Sequence, residues 1–275
     1  MNEPERPPLR IPDIQAKKVR GEKITMLTAY DAWMARILAE TDAVDMLLVG
    51  DSLGMVELGY DTTVPVTMHD ILRHTCAVRA GAPQALIVAD MPFLSHQISL
   101  GQALRNAGTL LQRGGATAVK LEGGRESMET VQKMVSAGIP VMGHLGLQPQ
   151  SVHLLGGFRQ QAKHPEEQKQ LLDNAAALEE AGAFAIVLEC VPHTVARDVT
   201  RSLRIPVIGI GSGPDCDGQV LVVHDILGLS GPITPPFVKP YAALAEPIAA
   251  AVKKYSSEVR SGEYPARSSR KAGNA

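Results

Sequence analysis

The chain has 275 residues, of which 45% are hydrophobic and 20% charged, with a formal net charge of -2. That is enough apolar chain for one large core, and the lack of a basic excess, with only 4% aromatic residues, argues against a phosphate-tracking groove or a base-stacking surface. Cys76, Cys190 and Cys216 have neither CxxC metal spacing nor the pattern of a disulfide framework. The start is polar and proline-rich without the apolar core of a signal peptide, and no apolar run is long enough to span a bilayer. The expectation is a soluble cytoplasmic protein that binds neither nucleic acid nor membrane.

In chain order, residues 1–10 are expected to be a disordered lead and 11–19 a short helix. Strand-like and helix-like segments then alternate. The strand candidates are 24–28, 46–49, 86–90, 118–121, 141–143, 185–189, 207–210 and 219–223. Most are apolar throughout rather than alternating, as expected of parallel strands covered on both faces. Thr67 is a candidate N-cap for a helix ending near Gly81, and Ser99 for one reaching Arg113 before Gly114-Gly115. Further helices are expected from Glu126 to Gly138 and from Pro165 to Gly182. Residues 266–275 are expected to be a disordered tail, which leaves 11–265 as one catalytic domain.

Eight strands with intervening helices predict a closed (β/α)8 TIM barrel; a doubly wound open sheet is the alternative. Gly209-Ile-Gly-Ser-Gly213 is a weak dinucleotide fingerprint, because it lies on the seventh strand and Pro214 replaces its third glycine. Five apolar runs end in a polar residue: Asp51, Asp90, Glu122, His144 and Glu189. In a barrel those ends converge on the C-terminal face, where the chemistry of the fold resides.

Asp51, Asp90 and Glu122 end three successive strands. Crowded carboxylates repel, and a hard divalent cation such as Mg2+ relieves that repulsion. Any one of them alone reads more simply as a solvated acid; the three together favour a metal site. Lys120 lies two residues before Glu122 and shares its face, which suits it to an anionic substrate oxygen or, equally, to a structural ion pair. Glu189 is a candidate general base, set across the barrel from the acids among apolar neighbours. Ser52 can offer a hydroxyl or an N–H to a carboxylate. His144 is a possible supporting hydrogen-bond donor, although a lone histidine is more often structural. Together these residues suggest metal-assisted chemistry on a small 2-oxo acid, with a base taking a proton at C3.

The blocks Leu27-Thr-Ala-Tyr-Asp31, Val49-Gly-Asp-Ser-Leu-Gly-Met55, Val119-Lys-Leu-Glu-Gly-Gly124, Gly143-His-Leu-Gly-Leu-Gln-Pro-Gln150, Leu188-Glu-Cys-Val-Pro192 and Ile208-Gly-Ile-Gly-Ser-Gly213 resemble the ketopantoate hydroxymethyltransferase family, over about residues 11–265. The resemblance implies a (β/α)8 barrel of the phosphoenolpyruvate/pyruvate superfamily type, usually a homodecamer. It implies transfer of a one-carbon unit from 5,10-methylenetetrahydrofolate to 3-methyl-2-oxobutanoate, giving 2-dehydropantoate and tetrahydrofolate in pantothenate biosynthesis. By that resemblance Asp51, Asp90 and Glu122 bind Mg2+, Asp51, Ser52, Asp90 and Lys120 contact the oxo acid, and Glu189 accepts the proton. Two positions depart from the family pattern: Ser212, where alanine is common, and His96, where an aromatic residue is common. Neither is expected to touch the metal acids or the base. The competing readings are a related carbon–carbon lyase or phosphonate mutase acting on another oxo acid, and a barrel retired to a scaffold role.

Overall fold

The computed structural model describes residues 8–230 and 235–266. Most of the expected lead and nearly all of the expected tail lie outside these residues. The chain divides into two compact units, the division falling between Val223 and His224 in the sequence.

The first unit is a closed barrel of eight parallel strands in sequential order. The strands are β1 (Ile24–Thr28), β2 (Met46–Val49), β3 (Ile87–Asp90), β4 (Ala118–Glu122), β5 (Val141–Gly146), β6 (Ala185–Glu189), β7 (Val207–Ile210) and β8 (Gly218–Leu221). Every expected strand is present. β3 starts one residue late, β4 and β5 run further than expected, and β8 covers 218–221 instead of 219–223. Helices α1 (Ile11–Arg20), α2 (Ala32–Glu40), α3 (Leu53–Val56), α4 (Met68–Gly81), α5 (Leu100–Gln112), α6 (Met128–Ser136), α7 (Val152–Leu155), α8 (Pro165–Glu180) and α9 (His193–Ser202) precede the strands or connect them.

The caps follow local chemistry. Thr67 and Asp70 form a reciprocal capping box at α4, and Ser99 accepts from the Gln102 N–H at α5. Asp31 does the same at α2, accepting from the N–H groups of Trp33 and Met34. The helix expected from Glu126 opens instead as a 3-10 turn, Arg125–Ser127, and becomes α-helical at Met128, with no side chain capping its start.

Alternation along the strands divides the barrel into a dry floor and a polar mouth. Met26, Met46, Val88, Ala118, Met142, Ala185, Val187, Ile208 and Val220 belong to one buried apolar cluster inside the barrel. Ile14 of α1 is fully buried in the same cluster. Lys17 and Lys18 hold α1 in place through ion pairs to Asp45 (2.7 Å) and Asp217 (2.8 Å). Two residues further along β3, β4, β5 and β6, the same inward face carries Asp90, Lys120, His144 and Glu189, and two further again on β4 it carries Glu122. The apolar layer that builds the core therefore also aims the polar layer.

The second unit contains most of α10 (Val223–Leu227) and α11 (Ala245–Ser261). No residue of α11 is buried, and Ile248, Val252, Tyr255 and Val259 form an exposed apolar stripe on it. Among the described residues no helix is long and apolar enough to cross a membrane.

Candidate active site

The strand ends bring all seven residues singled out from the sequence to one mouth. Asp90 ends β3; its Oδ2 accepts from the Asp51 backbone N–H at 2.9 Å, and its Oδ1 lies 2.8 Å from the Lys120 ammonium. Pairing of β3 with β4 sets Asp90 beside Lys120, and pairing of β4 with β5 sets Glu122 beside His144. The His144 ring lies between several charged groups. Its Nδ1 is 3.1 Å from Lys120 Nζ and 3.5 Å from Glu122 Oε1, and its Nε2 is 3.1 Å from Glu189 Oε2.

One expectation is corrected here. Glu189 is not a lone carboxylate remote from the acids, because His144 connects it to both Glu122 and Lys120. His144 stands between Glu189 and the acids, within hydrogen-bond distance of the Glu189 carboxylate, a position that suits the supporting donor expected of it. Ser52 faces the mouth, but its hydroxyl pairs with the Tyr30 hydroxyl at 2.8 Å rather than with a carboxylate.

Burial shapes the electrostatics. It pushes the carboxyl groups of Asp51 and Asp90 up to about 6; the Glu122 charge adds to this at Asp51 and the Asp51 charge at Asp90, while Lys120 opposes it. Burial also works against the Lys120 cation, but the charges of Asp90, Asp51 and Glu122 outweigh it and hold that ammonium above its ordinary value.

At His144, burial and the Lys120 charge disfavour an imidazolium. The neighbouring Glu122 and Glu189 carboxylates overcome them and raise the ring to about 9. The 3.1 Å ammonium contact argues the opposite, because an ammonium donates only to the lone pair of a neutral ring. That short contact is the more direct guide to the tautomer. It places the ring proton on Nε2, donating to Glu189.

Sequence reasoning missed Gln150. It lies in the 3-10 turn Pro149–Ser151 after β5, and its amide donates to Asp51 Oδ2 at 2.8 Å. It closes the block Gly143-His-Leu-Gly-Leu-Gln-Pro-Gln150, but no period or spacing marks it as facing inward. The two departures also lie nearer the site than expected. His96 Nε2 is 3.0 Å from the Glu122 carbonyl, and the Ser212 hydroxyl donates to the Leu188 carbonyl at 2.7 Å, one residue before Glu189. Cys190 follows Glu189 in a left-handed conformation (φ 48°). Its thiol is pushed up to about 12 by burial and the Glu189 charge, which makes it a poor nucleophile at neutral pH.

The donor set suits a hard cation. Asp51, Asp90 and Glu122 supply carboxylate oxygens, and the buried Glu122 Oε1 has no hydrogen-bond partner. Among the described residues no group of three or more His, Cys, Asp or Glu side chains is placed to hold a metal ion. Mg2+ does not require one, since it commonly takes one or two carboxylates and completes its shell with water and substrate oxygens.

Comparisons with known proteins identify the family and the fold. Residues 8–267 match the sequence profile of the ketopantoate hydroxymethyltransferase family. The chain is 58% identical over 255 residues to the 3-methyl-2-oxobutanoate hydroxymethyltransferase of Moorella thermoacetica, covering 93% of this chain and 94% of that one. It is 56% identical over 255 residues to the enzyme of the same name from Ignicoccus hospitalis, covering 93% and 96%. Among solved structures, a phosphonopyruvate hydrolase in complex with oxalate and Mg2+ superposes with a TM-score of 0.61 at 14% identity, over 92% of this chain and 87% of that one. A 2,3-dimethylmalate lyase of the PEP mutase/isocitrate lyase superfamily superposes with a TM-score of 0.58 at 16% identity, over 96% and 91%. These two likenesses concern the barrel fold.

Proposed function

Given that the chain belongs to the ketopantoate hydroxymethyltransferase family, we propose that it transfers the one-carbon unit of 5,10-methylenetetrahydrofolate to 3-methyl-2-oxobutanoate. With water, the products are 2-dehydropantoate and tetrahydrofolate. The observation that carries this reading is the contact series Asp90–Lys120–His144–Glu189, which sets a fixed cation and a carboxylate base on either side of one ring.

Each residue has a role that follows from its surroundings. Glu189 takes the proton from C3 of the oxo acid, and the His144 Nε2–H holds one Glu189 oxygen so that the other is free to face the substrate. Lys120, pinned by Asp90, presents a positive charge to the substrate oxygens. Asp51, Asp90 and Glu122 would hold Mg2+. When bound, that ion would orient the carboxylate and carbonyl of the oxo acid and stabilise negative charge developing on them. The C3 electron pair released by proton removal forms the new carbon–carbon bond to the folate methylene carbon; both bonds of that carbon to nitrogen break, one replaced by the carbon–carbon bond and the other by a bond to the oxygen of water, and the proton from C3 and one proton of the water end on the two nitrogens. Ser52 and the backbone at Asp51 border the position of the substrate carboxylate.

The family resemblance also leads us to read the protein as a cytoplasmic homodecamer. The direct test of the reaction is to incubate purified protein with 3-methyl-2-oxobutanoate, 5,10-methylenetetrahydrofolate and Mg2+ and to follow 2-dehydropantoate by proton NMR. Product formation that depends on the folate supports the proposal. Oxo-acid turnover without folate would assign the protein to another reaction.

A further inference from the structure

Gln150 joins three strand ends from the loop of a fourth. Its Nε2 donates to Asp51 Oδ2, after β2, at 2.8 Å and to the Met91 carbonyl, after β3, at 3.1 Å. Its backbone N–H donates to Glu122 Oε2, at the end of β4, at 3.2 Å. The loop that carries it is itself anchored. Gly146 has φ 87°, and a Cβ there would stand 2.2 Å from the Glu189 carbonyl oxygen, so the close approach requires glycine. The Leu147 N–H donates to that same carbonyl at 2.8 Å, and Pro149 opens the turn.

Chemistry dictates the orientation of the amide. Reversed, its carbonyl oxygen would face a carboxylate and a backbone carbonyl, with no proton between any of them. The orientation that works leaves Gln150 Oε1 buried without a hydrogen-bond partner. A side chain kept only for packing would not leave such an atom, because an apolar residue of the same length fills the space without stranding an acceptor. Gln150 thus gives up one acceptor so that two amide protons and one backbone proton point at the strand ends. It also brings donors without charge. A lysine or arginine here would neutralise the acids and compete with a cation for them.

We propose that Gln150 is a positioning residue that fixes the separation and orientation of the Asp51 and Glu122 carboxylates for a divalent cation. The proposal rests on the metal reading given under Proposed function and adds to it the part of this chain that holds the acids ready.

The test uses Gln150→Met, which keeps length and volume but has no amide, and Gln150→Asn, which keeps the amide but is too short to reach. Mn2+ binding is measured by titration calorimetry and by electron paramagnetic resonance, without oxo acid or folate. The Tm in EDTA and the dependence of kcat on Mg2+ are recorded alongside. Both variants are expected to bind Mn2+ at least about ten-fold more weakly, the loss typical when a residue supporting metal ligands is removed. Their Tm in EDTA should match or exceed that of the parent protein, and kcat should recover toward the parent value at saturating Mg2+. If Gln150→Met fails to fold, Gln150→Asn carries the same comparison. Mn2+ affinity within two-fold of the parent would overturn the proposal, as would a fall in Tm accompanied by a kcat that added Mg2+ does not restore. Parent protein that binds no Mn2+ would overturn the metal reading itself and the proposal with it, an outcome distinct from equal binding by parent and variant.

Discussion

His144 Nε2 lies 3.1 Å from Oε2 of Glu189, which ties the proposed base on β6 to a ring on β5 that also touches Lys120. Replacing His144 by Ala removes the donor that orients Glu189 but leaves both the base and the metal acids in place. The C3 proton exchange rate of the oxo acid should then fall by roughly 10–100-fold, less than the roughly 100–10,000-fold of a general base itself, because His144 acts only by orienting it. Oxo-acid binding should change much less. The check is NMR exchange kinetics beside a binding titration; a variant that loses binding and exchange in equal proportion would make His144 a substrate ligand instead.

Metal uptake should depend on pH in a defined direction. Burial pushes Asp51 and Asp90 up to about 6, above the 3.8 of an exposed aspartate. An acid with a raised folded pKa is protonated in the native state while its unfolded counterpart is already ionised. Between about pH 4 and 6 the unfolded chain therefore binds fewer protons, and these two groups make metal-free protein less stable as pH rises through that window. A cation reverses their effect by compensating both charges, and protons compete with it below about pH 6. The gain in Tm on adding Mg2+ should grow from pH 5 to pH 7, as measured by thermal melts with Mg2+ and with EDTA. A gain that does not change with pH would mean that these carboxylates do not hold the ion.

Ile14 tests the barrel floor separately from its chemistry. The side chain is fully buried among the inward residues of the strands. Ile14→Ala should cost about 2–5 kcal/mol of stability by leaving a cavity in a packed interior. Denaturant melts would measure the loss, and kcat measured well below the transition should stay close to that of the parent.

Much of this arrangement was legible in the sequence because parallel strands covered on both faces appear as continuous apolar runs. β2, β6 and β7 coincide with their expected ranges for that reason, and β1, whose burial alternates, coincides as well. The polar residue that closes each run marked Asp51, Asp90, Glu122, His144 and Glu189 as mouth residues. What stayed hidden depends on tertiary register. β5 extends to Gly146 through its pairing with Glu189, and no local signal announces that pairing. The His144–Glu189 contact is likewise set by how neighbouring strands align. Gln150 is a polar residue in a loop, where neither helical nor strand periodicity assigns a direction to its side chain. The exposed apolar stripe of α11 had not been singled out in the sequence either.

The most direct test of the account is deuterium exchange at C3 of 3-methyl-2-oxobutanoate, followed by proton NMR without folate, for the parent protein and for Glu189→Gln. The account predicts exchange by the parent with Mg2+, suppression by EDTA, and a loss of at least about 100-fold in Glu189→Gln with oxo-acid binding retained. Exchange by Glu189→Gln at the parent rate would contradict it, because the proton would then be leaving to some other group.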